Sequence, residues 1–164
     1  MTTKYNEPLA KPLNDNDIDL LMKKLVNVDS KKLNKLFRDY SNILNSIISL
    51  TIKITKDEDE IIELERVKRI LGLCPLEERL LRTKDKIWNA RNHILKKNSD
   101  FFIKRDYSSM IKQDSNQAFI ESLMLIVKTK FPKLKKKEQF FYWKKATSLL
   151  KIVAEFKKMI GESV

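Results

Sequence analysis

Apolar residues recur every three to four positions over most of the chain, a spacing that places them on one side of an α-helix. After Asn14–Asp17, whose side chains can cap a helix start, Ile18, Leu21, Met22 and Leu25 follow in that rhythm. Asp29 and Ser30 can cap a second helix, with Leu33, Leu36, Phe37, Tyr40, Ile43, Leu44, Ile47 and Ile48 as its inner stripe. Residues 47–55 are rich in β-branched types, so this helix is expected to end early or bend there. Asp57–Glu60 open a third helix, with Ile61, Leu64, Val67, Ile70 and Leu71 inward and Gly72 as the expected C-cap. Pro75 suits the first position of a fourth helix, which should run to about Lys97.

Residues 98–115 break the rhythm, because polar residues punctuate short apolar clusters at Phe101–Ile103 and Met110–Ile111. A fifth helix is expected over 116–130 and a last one from Lys136 to Ile160, stopped by Gly161. No internal repeat or sustained heptad appears. The pattern predicts an all-α fold, an irregular bundle of five to seven helices over 14–164, with possible sub-lobes 14–97 and 98–164. Residues 1–13, which carry Pro8 and Pro12, are expected to form a flexible N-terminal arm.

Composition narrows this picture. The chain has 164 residues, enough to bury a substantial core without staples. Two glycines argue against a hairpin-rich β fold and leave no phosphate-cradling or dinucleotide loop. One cysteine, Cys74, excludes an intrachain disulfide, and with one histidine, His93, it cannot complete a four-ligand zinc site. No apolar run reaches the roughly 18–20 residues of a membrane span; the longest, Phe119–Val127, is interrupted by Glu121. The first residues lack the apolar core of a signal peptide, so a cytoplasmic, nuclear or virion-interior location is expected, with no membrane partner. Lysine, isoleucine and asparagine number 27, 17 and 11 against 5 alanines. That bias toward A/T-rich codons suggests an AT-rich genome, such as that of a large DNA virus, and discounts part of the lysine excess.

The net charge of +12 is uneven. Residues 57–82 carry 5 basic and 8 acidic groups, whereas residues 128–164 carry 11 basic and 3 acidic, net +8. A field of this kind attracts polyanions. The densest part is Lys128, Lys130, Lys133, Lys135, Lys136 and Lys137, around Pro132. In the aromatic run Phe140–Trp143, helical geometry puts Tyr142 on the core face, flanked by Phe141 and Trp143. Phe140 points instead to the side of Lys144, Lys151 and Lys158, either to stack on a base or to pack under 98–115.

These ten residues are the candidate nucleic-acid site, for DNA or RNA alike, in a basic accessory protein that works mainly through phosphate contacts. The alternative is a structural or interaction subunit of a larger assembly, such as a virion component. Its candidate surface is the acidic segment 57–65, which can meet a protein partner or the lysine patch of another copy. Carboxylates in a first helical turn complement the helix dipole, which explains this segment without a metal. Arg79, Arg82 and Arg91 are expected to form internal ion pairs with the acidic third helix. No catalytic constellation and no cofactor are read from the sequence, so no enzymatic activity is expected.

Overall fold

The computed structural model describes residues 9–11, 13–113 and 118–164. The protein is all-α. Among the described residues there are nine α-helices: α1 (Asp15–Leu25), α2 (Ser30–Ile54), α3 (Glu58–Leu73), α4 (Leu76–Asn89), α5 (Arg91–Leu95), α6 (Ser99–Ile103), α7 (Tyr107–Gln113), α8 (Phe119–Lys130) and α9 (Lys136–Met159), with a 3₁₀ turn at Phe131–Lys133 between the last two. The count exceeds the expected five to seven because the expected fourth helix is split in two and the irregular stretch after it folds into two short helices.

The first three starts are set by the side chains that the sequence pattern singles out. Asn14 Oδ1 accepts from the Asp17 amide at 2.8 Å, and Asp17 returns the bond to the Asn14 amide at 3.2 Å. Asp29 accepts from the Lys31 amide and Asp57 from the Glu60 amide. α2 does not end early: it runs unbroken to Ile54. Thr51 and Thr55 send their hydroxyls back to the carbonyls of Ile47 and Thr51, at 2.7 and 2.6 Å, and Ile47, Ile48 and Thr51 are buried. Tertiary burial overrides the weak helix propensity of β-branched residues here.

Gly72 is not the C-cap of α3. The helix continues to Leu73 and Cys74 caps it with extended backbone, φ −76° and ψ 131°. Pro75 forces that geometry by disfavouring a helical conformation in the residue before it. Pro75 itself is the N-cap of α4 and not its first helical residue. The expected run to Lys97 breaks at Ala90, whose ψ is 3°. The Arg91 guanidinium donates to the Trp88 carbonyl at 2.9 Å beside this break.

α5 ends in a Schellman arrangement, with the Asn98 amide on the His93 carbonyl and the Lys97 amide on Ile94. It requires the left-handed region at Lys97, φ 52°, a position glycine fills without a Cβ penalty. Lys97→Gly is therefore expected to raise the unfolding free energy by about 0.5–1 kcal/mol in urea denaturation. α9 closes in the same way, with Gly161 at φ 76° as the left-handed residue and the Glu162 amide on the Lys157 carbonyl at 2.8 Å. The expected stop at Gly161 is thus the observed one.

The long α2 lies at the centre and packs on α3, α4 and α9; α9 also crosses α4 and α5, while α8 packs on α3, α6 and α7. Buried side chains from both expected sub-lobes, among them Phe37, Leu64, Leu80, Ile126, Val153 and Phe156, form one hydrophobic cluster. Two buried relays tie helices together. Thr83 donates to the Arg79 carbonyl, so its oxygen receives the Tyr40 hydroxyl; Thr51 likewise receives Tyr142 at 2.8 Å. Most of the expected arm, residues 1–8 and 12, lies outside the described residues. At its C-terminal end Leu9 and Leu13 rest against the core, and the Leu9 carbonyl accepts from the Asn89 side-chain Nδ2 at 2.6 Å.

Candidate nucleic-acid interface

The ten candidate residues fall into two groups. Lys128 and Lys130, on the last turn of α8, face inward. Lys128 Nζ donates to the Arg105 carbonyl at 2.8 Å and lies 5.7 Å from the Tyr107 ring centroid. Lys130 Nζ pairs with Glu60 Oε1 at 2.7 Å. The acidic start of α3 and the basic end of α8 therefore meet within one chain, because α3 and α8 pack side by side. Asp57, Glu58 and Asp59 stay exposed.

Lys133, Lys135, Lys136, Lys137, Lys144, Lys151, Lys158 and Phe140 are all exposed. Among the described residues no carboxylate lies within 4.0 Å of any of these seven ammonium groups. The 3₁₀ turn gathers the first four. Along α9, Lys144, Lys151 and Lys158 recur every seven residues, two helical turns, and so fall near one line with Phe140 at its start. From Lys137 to Lys158 the stripe is about 31 Å long at the helical rise.

The carboxylates of this region are mostly engaged elsewhere. Glu138 accepts from the Lys135 amide at the start of α9. Glu162 folds back onto Lys84 and Lys157. Glu155 alone of the three is exposed, and its charge is felt by Lys35 of α2, whose pKa is raised chiefly by its hydrogen bond to Asp39.

Phe140 is 58% exposed, and Lys97 Nζ stands 5.4 Å from its ring centroid. The chain around residue 97 thus partners this ring from one side and leaves it open on another. Tyr142 is buried, as its helical position predicts, and Trp143 sits between Phe102 and Phe131 with centroids 5.8 Å from each. Lys97 is the residue that the sequence pattern did not connect to this site. Only the Asn98–Ser99 pair behind it hints at a turn, and nothing in the periodicity brings it to Phe140.

No protein-family model, curated protein or solved structure matches this chain. Its chemistry must be read from the side chains themselves. Among the described residues no three His, Cys, Asp or Glu side chains gather to hold a metal ion, and no helix is long and apolar enough to cross a membrane. Burial and the charge of Glu78 push the Cys74 thiol above its ordinary pKa, which disfavours the nucleophilic thiolate.

The three arginines do not pair with α3 as expected. Arg79, itself buried, donates to the Cys74 carbonyl and Ser41 Oγ; Arg82 pairs with Asp15 and Glu78; Arg91 lies over the Trp88 ring. Arg79 and Arg82 of α4 reach toward α2 and α1, Arg91 of α5 turns back onto the end of α4, and Glu60 at the start of α3 pairs instead with Lys130 of α8.

His93 stacks on Phe101 with centroids 3.8 Å apart, and its Nδ1 lies 3.0 Å from the Asn98 side-chain amide. An amide that donates there requires the unprotonated nitrogen. Burial, then the charges of Arg105 and Lys96, hold the His93 pKa below its ordinary value. A folded-state pKa below the unfolded value of about 6.5 means that the unfolded chain binds more protons. The stabilisation is thus full above that pH and declines as pH falls through it. Thermal unfolding between pH 7.5 and 5.5 should show Tm decreasing toward the acid side, with a shallower decrease for His93→Gln.

Proposed function

We propose that this protein is a non-enzymatic accessory factor that binds DNA or RNA through its phosphate backbone, with little sequence preference. The observation that carries this reading is the seven exposed lysines without carboxylate partners, among the described residues, on the 3₁₀ turn and one face of α9. Lys128 and Lys130 do not belong to the binding surface because both are engaged inside the fold. A stripe of about 31 Å follows about nine base pairs of a duplex, or a comparable run of single strand. Phe140, open on one side and backed by Lys97, supplies a surface for stacking on an unpaired base. Such a protein works where nucleic acid is found, in the cytoplasm, the nucleus or a virion interior.

The first test is co-purification. Protein isolated at low salt should carry nucleic acid, seen as an elevated 260/280 nm absorbance ratio that a 1 M salt wash returns to the protein value. A ratio unchanged by the wash counts against the reading.

A second reading, an interaction subunit of a larger assembly, draws on α3. Besides the exposed Asp57, Glu58 and Asp59, this helix presents Ile62 and Leu73 at 61% and 85% exposure. Sedimentation velocity across protein concentration separates the readings: a concentration-dependent mass that Ile62→Ser with Leu73→Ser abolishes favours assembly.

A further inference from the structure

Two exposed faces of opposite charge border one another on this chain. Residues 57–65 carry six carboxylates and no base. Glu60 is taken up by Lys130, and Glu63 accepts from the Arg66 guanidinium at 2.9 Å. Asp57, Glu58, Asp59 and Glu65 stay exposed, and among the described residues no lysine or arginine nitrogen lies within 4.0 Å of their carboxylates. Helical spacing puts the exposed Ile62 beside Glu58, Asp59 and Glu65 on α3. On α9 the same spacing puts the exposed Phe140 beside Lys136, Lys137 and Lys144. Each face is thus a large apolar side chain flanked by unpaired charges of one sign, and the two signs are opposite.

The fold sets the starts of α3 and α9 close together. The Lys130–Glu60 pair joins the end of α8 to the start of α3. The Gln139 side-chain amide donates to the Phe131 carbonyl at 2.8 Å and holds the start of α9 against the 3₁₀ turn that follows α8. The Thr51–Tyr142 bond ties the end of α2, from which α3 departs, to the same part of α9. Bordering patches of opposite sign are self-complementary, because a two-fold rotation lays each on its opposite in a second copy and makes both pairings at once. A polyanion answers only the basic half of this surface and a polycation only the acidic half, whereas a second copy of the chain answers both. The net charge of +12 opposes association at long range. At 0.15 M salt the Debye length is about 8 Å, so distant charges are screened while apposed groups still attract.

We propose that the starts of α3 and α9 form a two-fold docking surface for a second copy of this chain, with Glu58, Asp59 and Glu65 of each copy set against Lys136, Lys137 and Lys144 of the other and with Ile62 and Phe140 covered between them. The dimer rests on the assembly reading of α3 and supplies the identity of its partner.

Sedimentation velocity of the full chain, freed of nucleic acid at high salt and returned to about 0.15 M, tests this. The mass should rise with concentration from one chain to two and level there, because a two-fold contact closes. Raising the salt to about 1 M should return it to one chain, since the attraction is between exposed charges. Glu58→Lys with Asp59→Lys should stay at one chain, and so should Lys136→Glu with Lys137→Glu, both still helical by far-UV circular dichroism. An equimolar mixture of the two variants should regain the two-chain mass, because each altered patch then faces its opposite. That recovery separates lost pairing from lost folding. A single-chain mass at every concentration, or a mass that passes beyond two chains, would overturn the dimer. A concentration-dependent mass that the α9 variant leaves unchanged would overturn it too, while leaving the assembly reading of α3 in place.

Discussion

Replacing Glu162 with leucine is expected to lower the unfolding free energy by about 3 kcal/mol. The basis is the cluster that closes the C-terminus. Lys84 of α4 is 3% exposed, and its Nζ lies 2.6 Å from Glu162 Oε1 and 3.1 Å from Asp85 Oδ1. Lys157 of α9, also buried, reaches the same two carboxylates at 3.4 Å. Glu162 gets there because the left-handed Gly161 turns the chain back after α9. Without it, two buried ammonium groups share Asp85 alone, and an uncompensated buried charge is among the costliest defects a fold can carry. Urea denaturation of Glu162→Leu measures the loss. A double variant with Lys84→Met should recover much of it, since a matched apolar pair often replaces a buried ion pair at little net change. If the single variant unfolds at the urea midpoint of the parent, the cluster contributes no stability.

Removing the charge of the basic face should have the other large effect, on binding with folding left intact. Lys135, Lys136, Lys137, Lys144, Lys151 and Lys158 are exposed and, among the described residues, tied to no carboxylate, so their replacement by alanine disturbs no ion pair of the fold. A lysine that no longer meets its phosphate no longer releases a counterion, and four or more such replacements weaken binding at 50 mM salt by at least about 100-fold. Alanine at Lys128 and Lys130 should behave differently. Those two serve the Arg105 carbonyl and Glu60, so their replacement should lower Tm and leave nucleic-acid affinity nearly unchanged. Fluorescence anisotropy with a labelled 20-mer, alongside melting curves, separates the two sets. Phe140→Ala should weaken binding to single strands more than to duplex, because only an unpaired base can stack on its ring.

The parts of the fold written in local chemistry were legible in the sequence. Asn14, Asp29, Asp57 and Gly161 mark helix ends through bonds made within a few residues, and the spacing of Ile18, Leu33, Leu36 and Leu64 identifies inward faces. Features decided by distant neighbours were not. The β-branched end of α2 stays helical because Tyr142 and the core cover it. Gly72 loses its expected role to Pro75, two residues past Leu73, whose steric demand settles the cap. Nothing local signals the break at Ala90.

The candidate site divides along the same line. Exposure of Lys144, Lys151 and Lys158 follows from the seven-residue period of α9, but the inward turn of Lys128 and Lys130 depends on α3 and on the chain near Arg105. Glu121 appeared in the sequence only as an interruption of an apolar run. Its ion pair with Lys86 emerges only once the fold brings Lys86 of α4 within 2.8 Å of it.

The most direct test of the basic-face account is the salt dependence of binding to a random-sequence oligonucleotide. For the unaltered protein, log K should fall linearly with log salt from 50 to 300 mM, with a slope of about −4 to −6, about −0.9 for each phosphate contact on duplex. The variant carrying alanine at the six exposed α9-region lysines should show a slope shallower by at least about 3 units. Affinity that is unmeasurable at 50 mM salt, or the same slope for both proteins, would contradict the claim that this face binds nucleic acid.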